Sequence, residues 1–227
     1  MSPAAGAKGA AAGTRLIFVG DPMCSWCYGF AQELSLLAER HPDLPLVIRV
    51  GGVRAGETEP MSEEMKRLRL AHWHRVEKVS GLPFDREAFM RRQGYVYDTE
   101  PACRAMVVVR RVAPAAAPLA VFRAIQHAFY AEGRDPRDGA MLADVVTAEL
   151  ARQGLPVAPG QFLAAWRDMG AVAATAAEFR EVRRWGIQSF PALLLEQDGQ
   201  LSLLAPGYMS ADELDARLAA AMPARAS

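Results

Sequence analysis

Apolar residues along this chain follow two different periods, and the switch between them organises it. Thr14 to Gly20 (TRLIFVG) is a short apolar run rich in β-formers and bounded by Gly and Pro, which predicts a buried strand. After the turn Asp21-Pro22-Met23, the stretch from Cys24 to Arg40 places Phe30, Leu34, Leu37 and Ala38 at helical spacing, and His41-Pro42 ends that helix. Leu44 to Val50 (LPLVIRV) predicts a second strand. Strand, helix and strand of these lengths form a βαβ unit, so the two strands are expected to be parallel neighbours with a right-handed crossover.

From about Pro60 to Gly186 the period is helical throughout. Met61 to Ser80 predicts one helix closed by Gly81, and Asp85 to Gln93 a shorter one ending at Gly94. Thr99 is expected to N-cap the next helix, with Pro101 in its first turn and Pro114 as its stop. Further helices are expected over Leu119 to Ala131, Asp138 to Gln153, Gln161 to Met169 and Val172 to Trp185. The strand signal returns at Ala192 to Glu196, turns at Asp198-Gly199 and runs back over Leu201 to Ala205. Ser210 caps a last helix, Ala211 to Ala221. The expected organisation is a tail over 1–13, an α/β domain made of 14–57 and 186–227, and an all-helical domain inserted at 58–185.

Composition narrows the function classes. Hydrophobic residues are 51% and charged residues 23%, an ordinary globular balance, and 26 Lys plus Arg offset 26 Asp plus Glu. Zero formal net charge builds no broad positive field, so neither nucleic acid nor an anionic membrane surface is an expected partner. No apolar run approaches the roughly 20 residues a membrane span needs. Met1 to Gly13 is Ala/Gly-rich with the single charge of Lys8 and lacks the apolar stretch of an export signal. It reads as a flexible tail on a cytoplasmic protein. In a reducing compartment a close cysteine pair points to catalysis or metal binding rather than to a structural bridge.

That pair is Cys24-Ser25-Trp26-Cys27, between the first strand and the first helix. Cysteines at i and i+3 share a helix face, and the unpaired N–H groups at a helix start favour thiolate over thiol at the first of them. Each pKa unit of such a shift corresponds to about 1.4 kcal/mol. Cys24 is the expected nucleophile and Cys27, one turn in, the resolving thiol. A zinc site would need a second ligand pair. Cys103 stands alone, and His72 and His74 point to different helix faces, so no metal is expected. Cys103 reads as a small buried apolar residue, and Trp73, Trp166 and Trp185 as core. Trp26, between the two thiols, is expected at the lip of the site. Asp21 is read equally well as a turn residue or as a proton relay.

The segment Asp21-Pro22-Met23-Cys24-Ser25-Trp26-Cys27-Tyr28-Gly29-Phe30 resembles the active site of the DsbA-like branch of the thioredoxin superfamily, and more narrowly its cytoplasmic FrnE-like members, described as protein-disulfide isomerases. Gly186-Ile187-Gln188-Ser189-Phe190-Pro191-Ala192 resembles the loop that in this superfamily ends in a cis-proline facing the redox pair. The resemblance covers nearly all of the chain after Gly13. It implies a thioredoxin-like fold with a large helical insertion after the βαβ unit, a cis Phe190–Pro191 bond, and a substrate chain pairing with the backbone of Ser189 and Phe190. It also implies exchange with protein or small-molecule thiols and disulfides, glutathione as a co-substrate and no tightly held cofactor. Two departures stand out. Ser25-Trp26 contains neither the proline nor the histidine of better-known members, and Phe18 and Val19 put no carboxylate in the preceding strand. Strong oxidising power is therefore not implied. A glutathione-dependent isomerase or transferase of the kappa class shares the fold, but such enzymes generally carry serine at the first-cysteine place. A non-catalytic partner-binding module is the third reading.

Overall fold

The computed structural model describes residues 13–222, and the expectation for the tail lies almost wholly outside them. β1 (Arg15–Gly20) and β2 (Leu46–Val50) run parallel, joined by α1 (Ser25–Arg40). Seven helices follow before the strands resume: α2 (Glu63–Ser80), α3 (Arg86–Arg91), α4 (Glu100–Val112), α5 (Pro118–Tyr130), α6 (Gly139–Arg152), α7 (Pro159–Arg167) and α8 (Met169–Arg184). The hairpin β3 (Ala192–Gln197) and β4 (Gln200–Ala205) is antiparallel, and α9 (Ala211–Ala221) closes the described chain. The sheet order is β2-β1-β3-β4, with β1 antiparallel to β3. This is the thioredoxin-like architecture with a helical insertion that the periodicity and the resemblance called for.

The period of two in β1 decides which side each residue serves. Leu16 and Phe18 point into the larger core with α1 and the inserted helices, while Ile17 and Val19 point to the opposite face, against Val182 of α8 and Ile187. The Phe18 ring lies 5.7 Å from that of Phe30 in α1 and 5.2 Å from that of Phe122 in α5. Tyr28, directly after Cys27, stacks on Tyr130 at 4.9 Å and meets Phe84 edge-on. Glu178 of α8 ties the other side together. It accepts the Val50 amide at 2.6 Å and pairs with Arg110 of α4, which also donates to the Ile48 carbonyl at 2.8 Å.

Two sequence expectations about helix ends are corrected. Thr99 does occupy the N-cap position of α4, but its hydroxyl does not cap the helix. The Asp98 carboxylate accepts the Glu100 amide instead, at 3.0 Å, while the Thr99 hydroxyl accepts the Arg54 amide at 3.3 Å. The break between α7 and α8 falls at Asp168, not at Gly170-Ala171. Asp168 accepts the Ala171 amide at 3.2 Å, so Gly170 lies in the first turn of α8. Other ends shift by a residue or two: α2 begins at Glu63 rather than Met61, α3 stops at Arg91 short of Gly94, and α7 begins at Pro159 rather than Gln161. Ser62 caps α2, Gly81 ends it at φ 70°, and Ser210 with Glu213 forms a capping box on α9.

Candidate active site

Cys24 is the N-cap residue of α1, with extended φ/ψ of −89° and 115°. The turn before it is built by Asp21, whose carbonyl accepts the Cys24 amide at 3.0 Å. Cys24 is half-buried, while Cys27, one turn into the helix, is fully buried, and both are free thiols. Burial, with a hydrogen bond to Cys24 and the charge of that neighbour, pushes the Cys27 thiol well above its ordinary range. The pair thus combines one accessible sulfur with one that keeps its proton until a partner draws it off.

On one side, Cys24 meets the loop before β3. Its Sγ lies 3.6 Å from the Phe190 carbonyl oxygen, and the Phe190–Pro191 peptide is cis. Pro191 is buried, Phe190 half-buried and Ser189 exposed. The Phe190 ring lies over Gly51, where a Cβ would come within 2.1 Å of it.

Beneath the pair, Asp21 is completely buried. Its carboxylate accepts the Met23 amide at 2.8 Å and the Val53 amide at 2.7 Å, and the Thr99 and Cys103 side chains lie close enough to influence its ionisation. Burial raises its pKa despite these donors. Burial and the nearby Asp21 charge likewise hold the Cys103 thiol well above its usual range. The inserted helical layer reaches the motif from above, where the Tyr97 hydroxyl donates to the Met23 carbonyl. Burial pushes Tyr97 up to about 12, so it remains a neutral donor at ordinary pH.

A cleft of about 310 Å³ opens on the other side of Cys24. Cys24 and Trp26 of the motif line it together with Arg54, Met65, Leu68 and Arg69. Among the described residues, no three His, Cys, Asp or Glu side chains are grouped to hold a metal ion, and no helix is long and apolar enough to cross a membrane.

No family model matches the chain, and no curated protein does. Solved structures do. A candidate protein disulfide isomerase from Nitrosomonas europaea is 31% identical, with a TM-score of 0.80 over 94% of this chain and 99% of its own. The chain belongs to the DsbA-like branch of the thioredoxin superfamily. Another DsbA-like neighbour is the cytosolic disulfide reductase DsbM from Pseudomonas aeruginosa, 27% identical with a TM-score of 0.71 over 92% of this chain and 97% of its own. A structure of DsbM with GSH superposes at a TM-score of 0.70 and 25% identity, over 92% of this chain and 98% of its own.

The residues read from the sequence of this DsbA-like protein fall into two groups around one sulfur. Cys24 and Trp26 line the cleft, whereas Phe190 approaches Cys24 from the side of the β3 loop. Trp26 is half-buried and its ring lies 5.8 Å from that of Tyr208. Sequence reasoning missed the part of the cleft that α2 lines. Its signal was present: Met65 and Leu68 are large apolar residues left exposed on α2, and Met65 stands at helical spacing from both Leu68 and Arg69. Cys103 is buried as expected, but its contact with Asp21 depends on the packing of α4 against the motif.

Proposed function

We propose that this DsbA-like thiol–disulfide oxidoreductase exchanges disulfides through Cys24 and Cys27, with substrate held by Trp26 on one side and by Ser189, Phe190 and Pro191 on the other. The observation that carries this reading is the asymmetry of the pair: a half-exposed sulfur at a helix start, 3.6 Å from a loop carbonyl, backed by a buried thiol one turn away.

The chemistry follows from that asymmetry. The Cys24 thiolate attacks one sulfur of a substrate disulfide, whose S–S bond breaks, and the other substrate sulfur leaves as a thiolate and takes up a proton. Cys27 then gives up its proton and attacks the Cys24 sulfur. The mixed disulfide breaks, the second substrate thiol departs, and the Cys24–Cys27 disulfide holds the pair oxidised. Two electrons have passed from the protein to the substrate, and the reverse sequence returns them. Glutathione is the small thiol this reading assigns as co-substrate, supported by the DsbM structure that contains GSH. A cytoplasmic setting agrees with the cytosolic description of DsbM.

The kappa-class alternative is less well supported, because a transferase of that kind needs no second thiol and Cys27 is held directly behind Cys24. Trapping separates the two. Cys27→Ser should accumulate mixed disulfides with substrate on non-reducing gels, since attack needs one thiolate and release needs the other. Cys24→Ser should accumulate none. Adducts from both variants, or from neither, would refute the assigned roles.

A further inference from the structure

The cleft that Cys24 lines also carries an uncommitted charge. The Arg69 guanidinium of α2 lies flat on Tyr97, 3.7 Å from the ring centroid. Its Nε is buried without a hydrogen-bond partner among the described residues. Nearby cations are already matched, Arg54 with Glu57 at 3.1 Å and Lys66 with Glu63 at 2.7 Å, and Arg69 shares in neither pair. His72 adds no permanent charge, because burial and its neighbours Arg75 and Arg69 keep it below its usual range.

An arginine stacked on an aromatic ring has its fork already oriented, so little side-chain freedom is lost when it takes a bidentate partner. Its natural partner is a carboxylate. Met65 and Leu68 beside it offer an apolar floor, and the cleft volume is at the small end of the range for small-molecule sites. A ligand filling this cleft meets both a reactive sulfur and a waiting guanidinium.

We propose that Arg69 is a specificity-determining residue that anchors the carboxylate of a low-molecular-weight thiol or disulfide while its sulfur engages Cys24. This rests on the redox role of Cys24 argued above. The inserted helical layer, through α2, would then select anionic small disulfides over neutral ones of the same reactivity.

The test compares two disulfides on the reduced protein: glutathione disulfide, which carries carboxylates, and bis(2-hydroxyethyl) disulfide, which carries none. The rate constant for oxidation of the Cys24–Cys27 pair is measured with each. Arg69→Gln should lower the preference for glutathione disulfide by roughly tenfold, the effect of one charge-assisted hydrogen bond. Arg69→Lys should fall between, because it keeps the charge but loses the fork. An unaltered ratio, or an equal loss on both disulfides, would overturn the assignment. A second measurement needs neither turnover nor an Arg69 variant: calorimetry of S-methylglutathione and its diethyl ester on Cys24→Ser protein. The ester should bind about tenfold more weakly, and equal binding would sink the anchor. If neither disulfide oxidises the wild-type protein while this difference persists, the redox reading fails and the anchor stands.

Discussion

Phe190 joins Cys24 to the end of β2. Its carbonyl oxygen lies 3.6 Å from the Cys24 sulfur, and its ring fills the space that a side chain on Gly51 would take. The end of β2 therefore sets the position of the loop that faces Cys24. Gly51→Ala brings a Cβ to 2.1 Å of the ring, so the ring must move and its backbone with it. Disulfide turnover should drop roughly tenfold or more, the order expected for a displacement of about 1 Å at a reacting centre. Alkylation of Cys24 should continue at its former rate. Full turnover in the variant would show that substrate docks away from Phe190.

Cys24 should be labelled ahead of the other two thiols. It is the half-exposed one, whereas Cys27 and Cys103 are buried and hold their protons more tightly than a free cysteine. Iodoacetamide near neutral pH, followed by peptide mass analysis, should modify Cys24 first. The other two should react only after unfolding. Early modification of Cys103 would move the reactive centre to α4.

Asp21 should imprint a pH dependence on stability. Its folded pKa is raised by burial above the unfolded value of about 3.9, so the folded state binds this proton more tightly. The contribution is fully present below the unfolded pKa and is lost as pH rises through the folded one. Asp21→Asn cannot titrate, and it loses one acceptor for the Met23 and Val53 amides. The variant should be less stable than wild type, with the gap largest near about pH 4 and narrower near about pH 8. Urea unfolding at the two pH values measures this. A gap that widened with pH would mean that the carboxylate is favoured as the anion.

Glu178 should matter to stability out of proportion to its size. Removing it strips the Arg110 charge of its partner and leaves the Val50 amide unsatisfied. Glu178→Ala should cost about 3 kcal/mol. In a chain of this length that corresponds to a fall in Tm of roughly 6–12 °C by calorimetry. A change of a degree or less would mean that solvent replaces the pair without penalty.

Much of this architecture was legible in the chain because the signals are local. The apolar run of β1, the i, i+3 cysteines and the Ser210 capping box each act within a few residues. What escaped depends on contacts between distant segments. Thr99 has the right chemistry for an N-cap, but its hydroxyl takes the Arg54 amide from a distant segment instead. Asp168 and Gly170 both carry helix-boundary chemistry, and the hydrogen bond from the Ala171 amide decides between them. Arg69 looks like any solvated helix residue until Tyr97 is laid beneath it. Cys103 and Asp21 could each be described separately, as a buried thiol and a turn carboxylate, but not as neighbours.

Phe18 gives the fold a consequence for its redesign. One strand residue lies between a ring of α1 and a ring of the inserted layer, so host and insertion each supply half of the same aromatic contact. Transplanting β1 and α1 without α5 would leave one side of Phe18 bare, and exchanging the insertion for a foreign one would require a ring delivered to the same spot. Point substitutions on α2, where the cleft is lined, leave this aromatic contact intact, whereas changes in α1 or α5 at Phe30 or Phe122 reach Phe18 directly.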